Sequence, residues 1–167
     1  MVLYQSSLEC GFNPLKNRRE CQMEEKDFSV FDFLQYVADS VFRDFSMLSI
    51  EKGKFRGGAC VGFKDELGRI FKIETEINPE FPAQWGEDHH YTAYAALKVS
   101  TALETERDTW NLPKKVLPLK AVDKGAVVVF SRSWKLWFSI GYSGLTGNED
   151  RELSSKLVDK YLSWGYI

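Results

Sequence analysis

A chain of 167 residues with 44% hydrophobic content can bury one sizeable core, so the composition argues for a single globular domain preceded by an extension. A formal net charge of -2 excludes a generally basic nucleic-acid binder, and no apolar run approaches the roughly 18 residues of a membrane span. Residues 1–26 lack the apolar centre of a secretory signal, and Cys10, Cys21 and Cys60 match no zinc spacing, so the expectation is a cytoplasmic protein with free thiols.

In chain order, residues 1–26 are polar and show no sustained period, with Gly11, Asn13, Pro14 and the charged group Lys16, Arg18, Arg19 and Glu20. They read as a flexible extension to a domain covering 27–167. Ser29 and Asp32 have capping-box spacing, and Val30, Phe31, Leu34, Val37, Ala38, Val41, Phe42 and Phe45 follow on one helical stripe. This predicts a first helix over about 29–47. Phe33 and Tyr36 lie three apart on a flank of that stripe and face outward together.

Gly53, Gly57 and Gly58 break the helix and introduce the apolar run Ala59 to Phe63. Lys64 to Gly68 reads as a turn, and Arg69 to Ile77 follows with Phe71, Ile73, Thr75 and Ile77 on one face, which predicts an antiparallel hairpin. Asn78-Pro79 and Phe81-Pro82 favour extended or turning backbone, with a helical start near Gly86 to Asp88. Tyr91 to Leu103 fits two templates. Tyr91, Ala95, Val99 and Ala102 make a helical stripe, whereas Leu97, Val99, Thr101 and Leu103 alternate as a strand would. Trp110 to Lys124, with Pro113 and Pro118, reads as loop with room for one short strand. Ala126 to Phe130, a turn at Ser131 to Trp134, and Leu136 to Tyr142 form a closing hairpin. A terminal helix begins at the Thr146/Glu149 capping box and carries Leu153, Leu157, Val158, Tyr161 and Leu162 on one face.

The chemical inventory is thin. His89 and His90 are adjacent, so their side chains diverge, and no Cys, Asp or Glu stands four residues away to complete a facing metal pair. Ser143 lacks the G-x-S-x-G elbow, and Gly144 to Gly147 shows neither phosphate-loop pattern. Asp65 and Glu66 read as a solvated turn. Nothing in the pattern demands an enzyme, a metal or a cofactor.

The aromatic residues carry a resemblance. Phe-Leu-Gln-Tyr-Val from Phe33 to Val37 is similar to the Trp-x-x-Tyr-Val of the first helix of profilins. Gly58-Ala59-Cys60-Val61-Gly62, then Asp65 and Gly68-Arg69-Ile70-Phe71, looks like the profilin run of small residues, glycine, aspartate and Gly-x-x-Trp. The closing segment, from Gly125 through Lys156-Leu157-Val158-Asp159 to Gly165-Tyr166, resembles the profilin ending of hairpin, helix and Gly-aromatic. The resemblance implies an α+β fold, a profilin-like central antiparallel sheet with N- and C-terminal helices packed on one face and a strand within Tyr91 to Leu103. It further implies a monomeric, non-enzymatic cytoskeletal regulator of actin assembly that binds actin monomers, proline-rich segments and phosphoinositides or other anionic phospholipids. Phe33, Tyr36, Phe71, Trp164 and Tyr166 would form the polyproline groove, since flat rings suit a pre-extended polyproline II helix. The actin-contact residues stay unassigned.

A second resemblance competes. Ile140-Gly141-Tyr142-Ser143-Gly144-Leu145-Thr146, with Glu149-Asp150, also looks like the end of small haem-binding, glycolate-operon-associated proteins, and Ala95 to Ala102 and Asp65 to Gly68 add to it. It implies one helix over 88–105, His89 or His90 as a haem ligand, and a homo-oligomer. It ranks second because it leaves the aromatic spacings unexplained.

Overall fold

The computed structural model describes residues 18–86, 90–112 and 124–162. Two compact units divide the chain, residues 1–36 and 37–167, and the sheet with its packing belongs to the second. Helix α1 spans Arg18–Lys52, longer at both ends than the 29–47 expected. Ser29 and Asp32 lie in its interior. Residues 20–28 contain no glycine or proline and several strong helix formers, so nothing stops the helix upstream of that pair, and residues 18–26 of the expected extension are helical. Gly53 follows its last turn and donates its N–H to Ser49 O at 3.1 Å.

Strands β1 (Gly57–Lys64) and β2 (Ile70–Ile77) form the first predicted hairpin, and β3 (Ala126–Ser131) and β4 (Leu136–Ser143) the second. All pairings are antiparallel, in the order β2-β1-β4-β3. Because side chains alternate along a strand, the register fixes both faces of the sheet. One face carries Ala59, Val61 and Phe63 beside Tyr142, Ile140 and Phe138, with Phe71 and Ile73 continuing the row on β2. The other is paved with small residues, Gly58, Cys60, Gly62, Ser139, Gly141 and Ala126.

Helix α2 (Tyr91–Thr105) lies on this small-residue face. Ala95, Ala96, Val99, Ala102 and Leu103 form a core cluster with Cys60 and Ala126. The fit depends on missing side chains: a Cβ at Gly58 would stand 2.5 Å from the backbone of Tyr91 and Thr92, and one at Gly141 2.7 Å from Val99 Cγ2. The helix template therefore holds over 91–105, and the strand implied by the profilin resemblance is absent there. The sheet offers α2 a shallow, nearly side-chain-free bed, and the helix's small residues let it settle into it. The helical start expected at Gly86 to Asp88 falls instead at Tyr91, with residues 87–89 outside the described residues.

On the opposite face, residues 37–52 of α1 and helix α3 (Gly147–Tyr161) run antiparallel. Asp44 accepts from Lys160 Nζ at 2.8 Å and from the Tyr161 hydroxyl at 2.6 Å, and Lys52 pairs with Glu152 at 3.1 Å near the other end. The Phe45 ring packs 4.8 Å from Tyr142 of β4. The architecture is thus the expected α+β one, a central antiparallel sheet with both terminal helices on one face. Thr146 caps α3 as expected, its Oγ1 accepting from Glu149 N at 3.3 Å. In the expected Trp110 to Lys124 loop, Thr109–Asn111 form one 3-10 turn, and residues 113–123 lie outside the described residues.

Candidate functional site

Of the five residues expected to form a polyproline groove, Phe33, Tyr36 and Phe71 are among the described residues. Phe33 and Tyr36 stand on the part of α1 that belongs to the first unit; Phe33 is half-buried and Tyr36 is 65% exposed. Phe71 belongs to the second unit, half-buried on β2, where its ring stacks on Phe63 at 5.0 Å while Arg69 sits 5.8 Å from its centroid. Phe63 in turn meets Phe138 at 6.0 Å. Phe71 thus continues an aromatic row on the face that carries the terminal helices. Trp164 and Tyr166 lie outside the described residues.

A second aromatic surface, made of residues outside these five, lies on the opposite face of the sheet. Helix α2 ends at Thr105, where Glu106 turns left-handed at φ 56, and the small-residue face continues past that end. There Phe130 and Trp137, directly paired across β3 and β4 with ring centroids 5.1 Å apart, floor an open groove of about 580 Å³. Its walls are the two hairpin turns, with Lys64, Asp65, Glu66 and Gly68 on one side and Arg132 and Lys135 on the other. Two of the walls' charges are already engaged. Lys64 pairs with Glu106 at 2.7 Å, and Asp65 pairs with Arg69 Nε at 2.6 Å while its other oxygen accepts from Leu67 N and Arg69 N. Burial raises the Asp65 carboxyl, but the hydrogen bonds from Arg69 outweigh it and hold the group below the usual carboxylate range. Arg132 and Lys135 have no carboxylate partner among the described residues. The run Phe130-Ser131-Arg132-Ser133-Trp134-Lys135-Leu136-Trp137, interleaving cations and rings around a turn, was the available sequence signal.

The most buried chemistry lies at the other end of the sheet. Lys98, on the sheet-facing side of α2, is 2% exposed and donates to Tyr142 O at 2.8 Å and to Asp150 Oδ2 at 3.1 Å. Asp150, in the first turn of α3 and 3% exposed, accepts from Leu145 N at 3.0 Å through its other oxygen. Ser154 donates to Gly125 O at 2.6 Å, and the same carbonyl accepts from Tyr142 N. The pair therefore bridges the two helical layers around the end of β4. Burial pushes the Asp150 carboxyl up to about 6 although Lys98 and the Leu145 N–H pull it back, and burial lowers the Lys98 ammonium although Asp150 raises it. The pair was legible only as an oddity, a lysine within the apolar stripe of α2. Beyond each other, Lys98 binds the Tyr142 carbonyl and Asp150 the Leu145 N–H, so the pair ties α2 and α3 to the backbone at the end of β4.

The histidines do not gather a metal site. His90 is exposed immediately before α2, and His89 lies outside the described residues. No cluster of three or more His, Cys, Asp or Glu side chains stands ready for a metal among the described residues. His90 is not among the residues that line the groove above or the two smaller ones, between α1 and β2 and beside Arg107. Cys60 is a free thiol with no exposed surface, and burial pushes it up to about 12, which makes it a packing residue rather than a nucleophile. No helix of the described residues is long and apolar enough to cross a membrane. The chain matches no family model, no curated protein and no solved structure.

Proposed function

We propose that this chain is a non-catalytic, small-ligand-binding protein of the architecture implied by its resemblance to the haem-binding, glycolate-operon-associated proteins. One observation carries the reading. Residues 91–105 form a continuous helix on the small-residue face of the sheet, where the profilin resemblance requires a strand and the haem-binding resemblance requires a helix. We place the ligand in the groove floored by Phe130 and Trp137, whose paired, half-buried rings offer it contact area.

The second reading remains an actin-monomer-binding, profilin-like regulator that also takes proline-rich segments and phosphoinositides. It is favoured by the antiparallel seating of the terminal helices on one sheet face, held by Asp44 with Lys160 and Tyr161. An actin-assembly assay across excess protein and a titration with a proline-rich peptide separate the two. The small-ligand reading expects an unchanged assembly rate and no saturable peptide signal. A saturable change in actin assembly would overturn it and restore the second reading.

A further inference from the structure

We propose that the groove between the hairpin turns binds a flat aromatic carboxylate, its ring lying on Trp137 and Phe130 and its carboxylate held by Arg132 and Lys135. This rests on the small-ligand reading above and names its ligand class. The helix leaves the floor uncovered: α2 stops at Thr105, and Trp137 and Phe130 on the same sheet face are only half-buried beyond it. Half-buried paired rings offer a surface on which another ring gains contact area and loses water. At about 580 Å³, the groove suits a ligand of one to a few fused rings.

Charge then selects among flat ligands. Of the groove's acids, Asp65 is held by Arg69 and Glu106 by Lys64, which leaves Glu66 as the lining acid without an ion pair among the described residues, against two such cations, Arg132 and Lys135. Both cations stand on the turn between β3 and β4, Arg132 two residues after Phe130 and Lys135 two residues before Trp137. A guanidinium offers a planar fork that matches a carboxylate with two parallel N–H donors, and the ammonium adds an unoriented second charge. A neutral ring would gain the stacking alone, and acetate the charge alone.

The test uses the full chain and 2-naphthoate as probe, followed by amide and indole N–H shifts, with the Trp137 indole signal identified by its loss in Trp137→Phe. Saturable shifts should concentrate at the Trp137 indole and at the amides of Arg132, Lys135 and Gly68. The neutral analogue 2-naphthalenemethanol should bind about tenfold or more weakly, as should the Arg132→Ala/Lys135→Gly variant. That variant is chosen to keep the fold, because Arg132 is exposed and Lys135 has φ 54, a conformation glycine adopts more readily than lysine; unchanged shifts elsewhere check this. Equal affinity for the neutral analogue, equal affinity in the variant, or no saturation at these signals overturns the proposal. Naphthoate saturating at other amides removes this site but leaves the small-ligand reading standing. No naphthoate binding together with a saturable effect on actin assembly removes both.

Discussion

Asp150 and Lys98 set the chemistry of the interior at the scale of single residues. Two charges removed from water repay their desolvation through each other, through the carbonyl of Tyr142 and through the backbone N–H groups of Leu145 and Gly144. Asp150→Ala leaves a buried ammonium uncompensated, and urea denaturation should register a loss of about 3–5 kcal/mol. Lys98→Met/Asp150→Leu removes both charges and should recover most of that loss. The pH dependence has a definite sign. The folded-state value of Asp150, about 6, lies above its ordinary 3.8, so the native chain takes up a proton that the unfolded chain does not. Its contribution to stability is therefore fully present below pH 3.8 and lost as the pH rises through about 6. Asp150→Asn should flatten that part of the stability profile between about pH 4 and 6, measured as the variant's difference from the parent. Asp65 has the opposite sign: held below its ordinary value, it stabilises above pH 3.8 and loses that contribution as the solution becomes more acid.

Among the elements, α2 shows what a linear pattern leaves undecided. Leu97, Val99, Thr101 and Leu103 alternate as in a strand, and Tyr91, Ala95, Val99 and Ala102 recur as in a helix, so the segment's own residues satisfy both periods. The deciding residues are elsewhere in the chain. Gly58, Gly62, Ser139 and Gly141 make a bed into which a helix can sink, and that information exists only once β1 and β4 are paired. Both hairpins and the capped α3 were legible because their signals are local: alternation, a turn between, and Thr146 three residues before Glu149. The helix α1 begins upstream of Ser29 for the converse reason, since Ser29 and Asp32 supply a cap pattern without the upstream breaker that would put it to use. Gly141→Ala should crowd Val99 and cost about 1–3 kcal/mol in thermal or chemical unfolding. Adding Val99→Ala should restore part of it, so the two substitutions together cost less than their sum. Additive losses would show that α2 does not rest on Gly141.

For the molecule as a whole, the terminal helices meet through Asp44, and α2 is tied to α3 through Asp150, so the second unit should unfold as one cooperative body. Tyr161→Phe removes one hydrogen bond to Asp44 and should lower stability by about 1 kcal/mol without splitting the transition, as followed by both tryptophan fluorescence and far-UV circular dichroism. The candidate groove was illegible at this scale. Phe130, Arg132, Lys135 and Trp137 are neighbours in sequence, but the opening above them exists because a helix from another part of the chain ends at Thr105. The outer edge of β3 is partly closed from within the chain: Val128 N donates to Asp108 Oδ1 at 2.8 Å and Ala126 N to Thr109 Oγ1 at 3.3 Å. Those two side chains act as stoppers, interrupting the row of backbone donors that another strand would need to extend the sheet past β3. Asp108→Ala/Thr109→Val removes both acceptors from the β3 edge and should lower the concentration at which sedimentation detects self-association, relative to the parent.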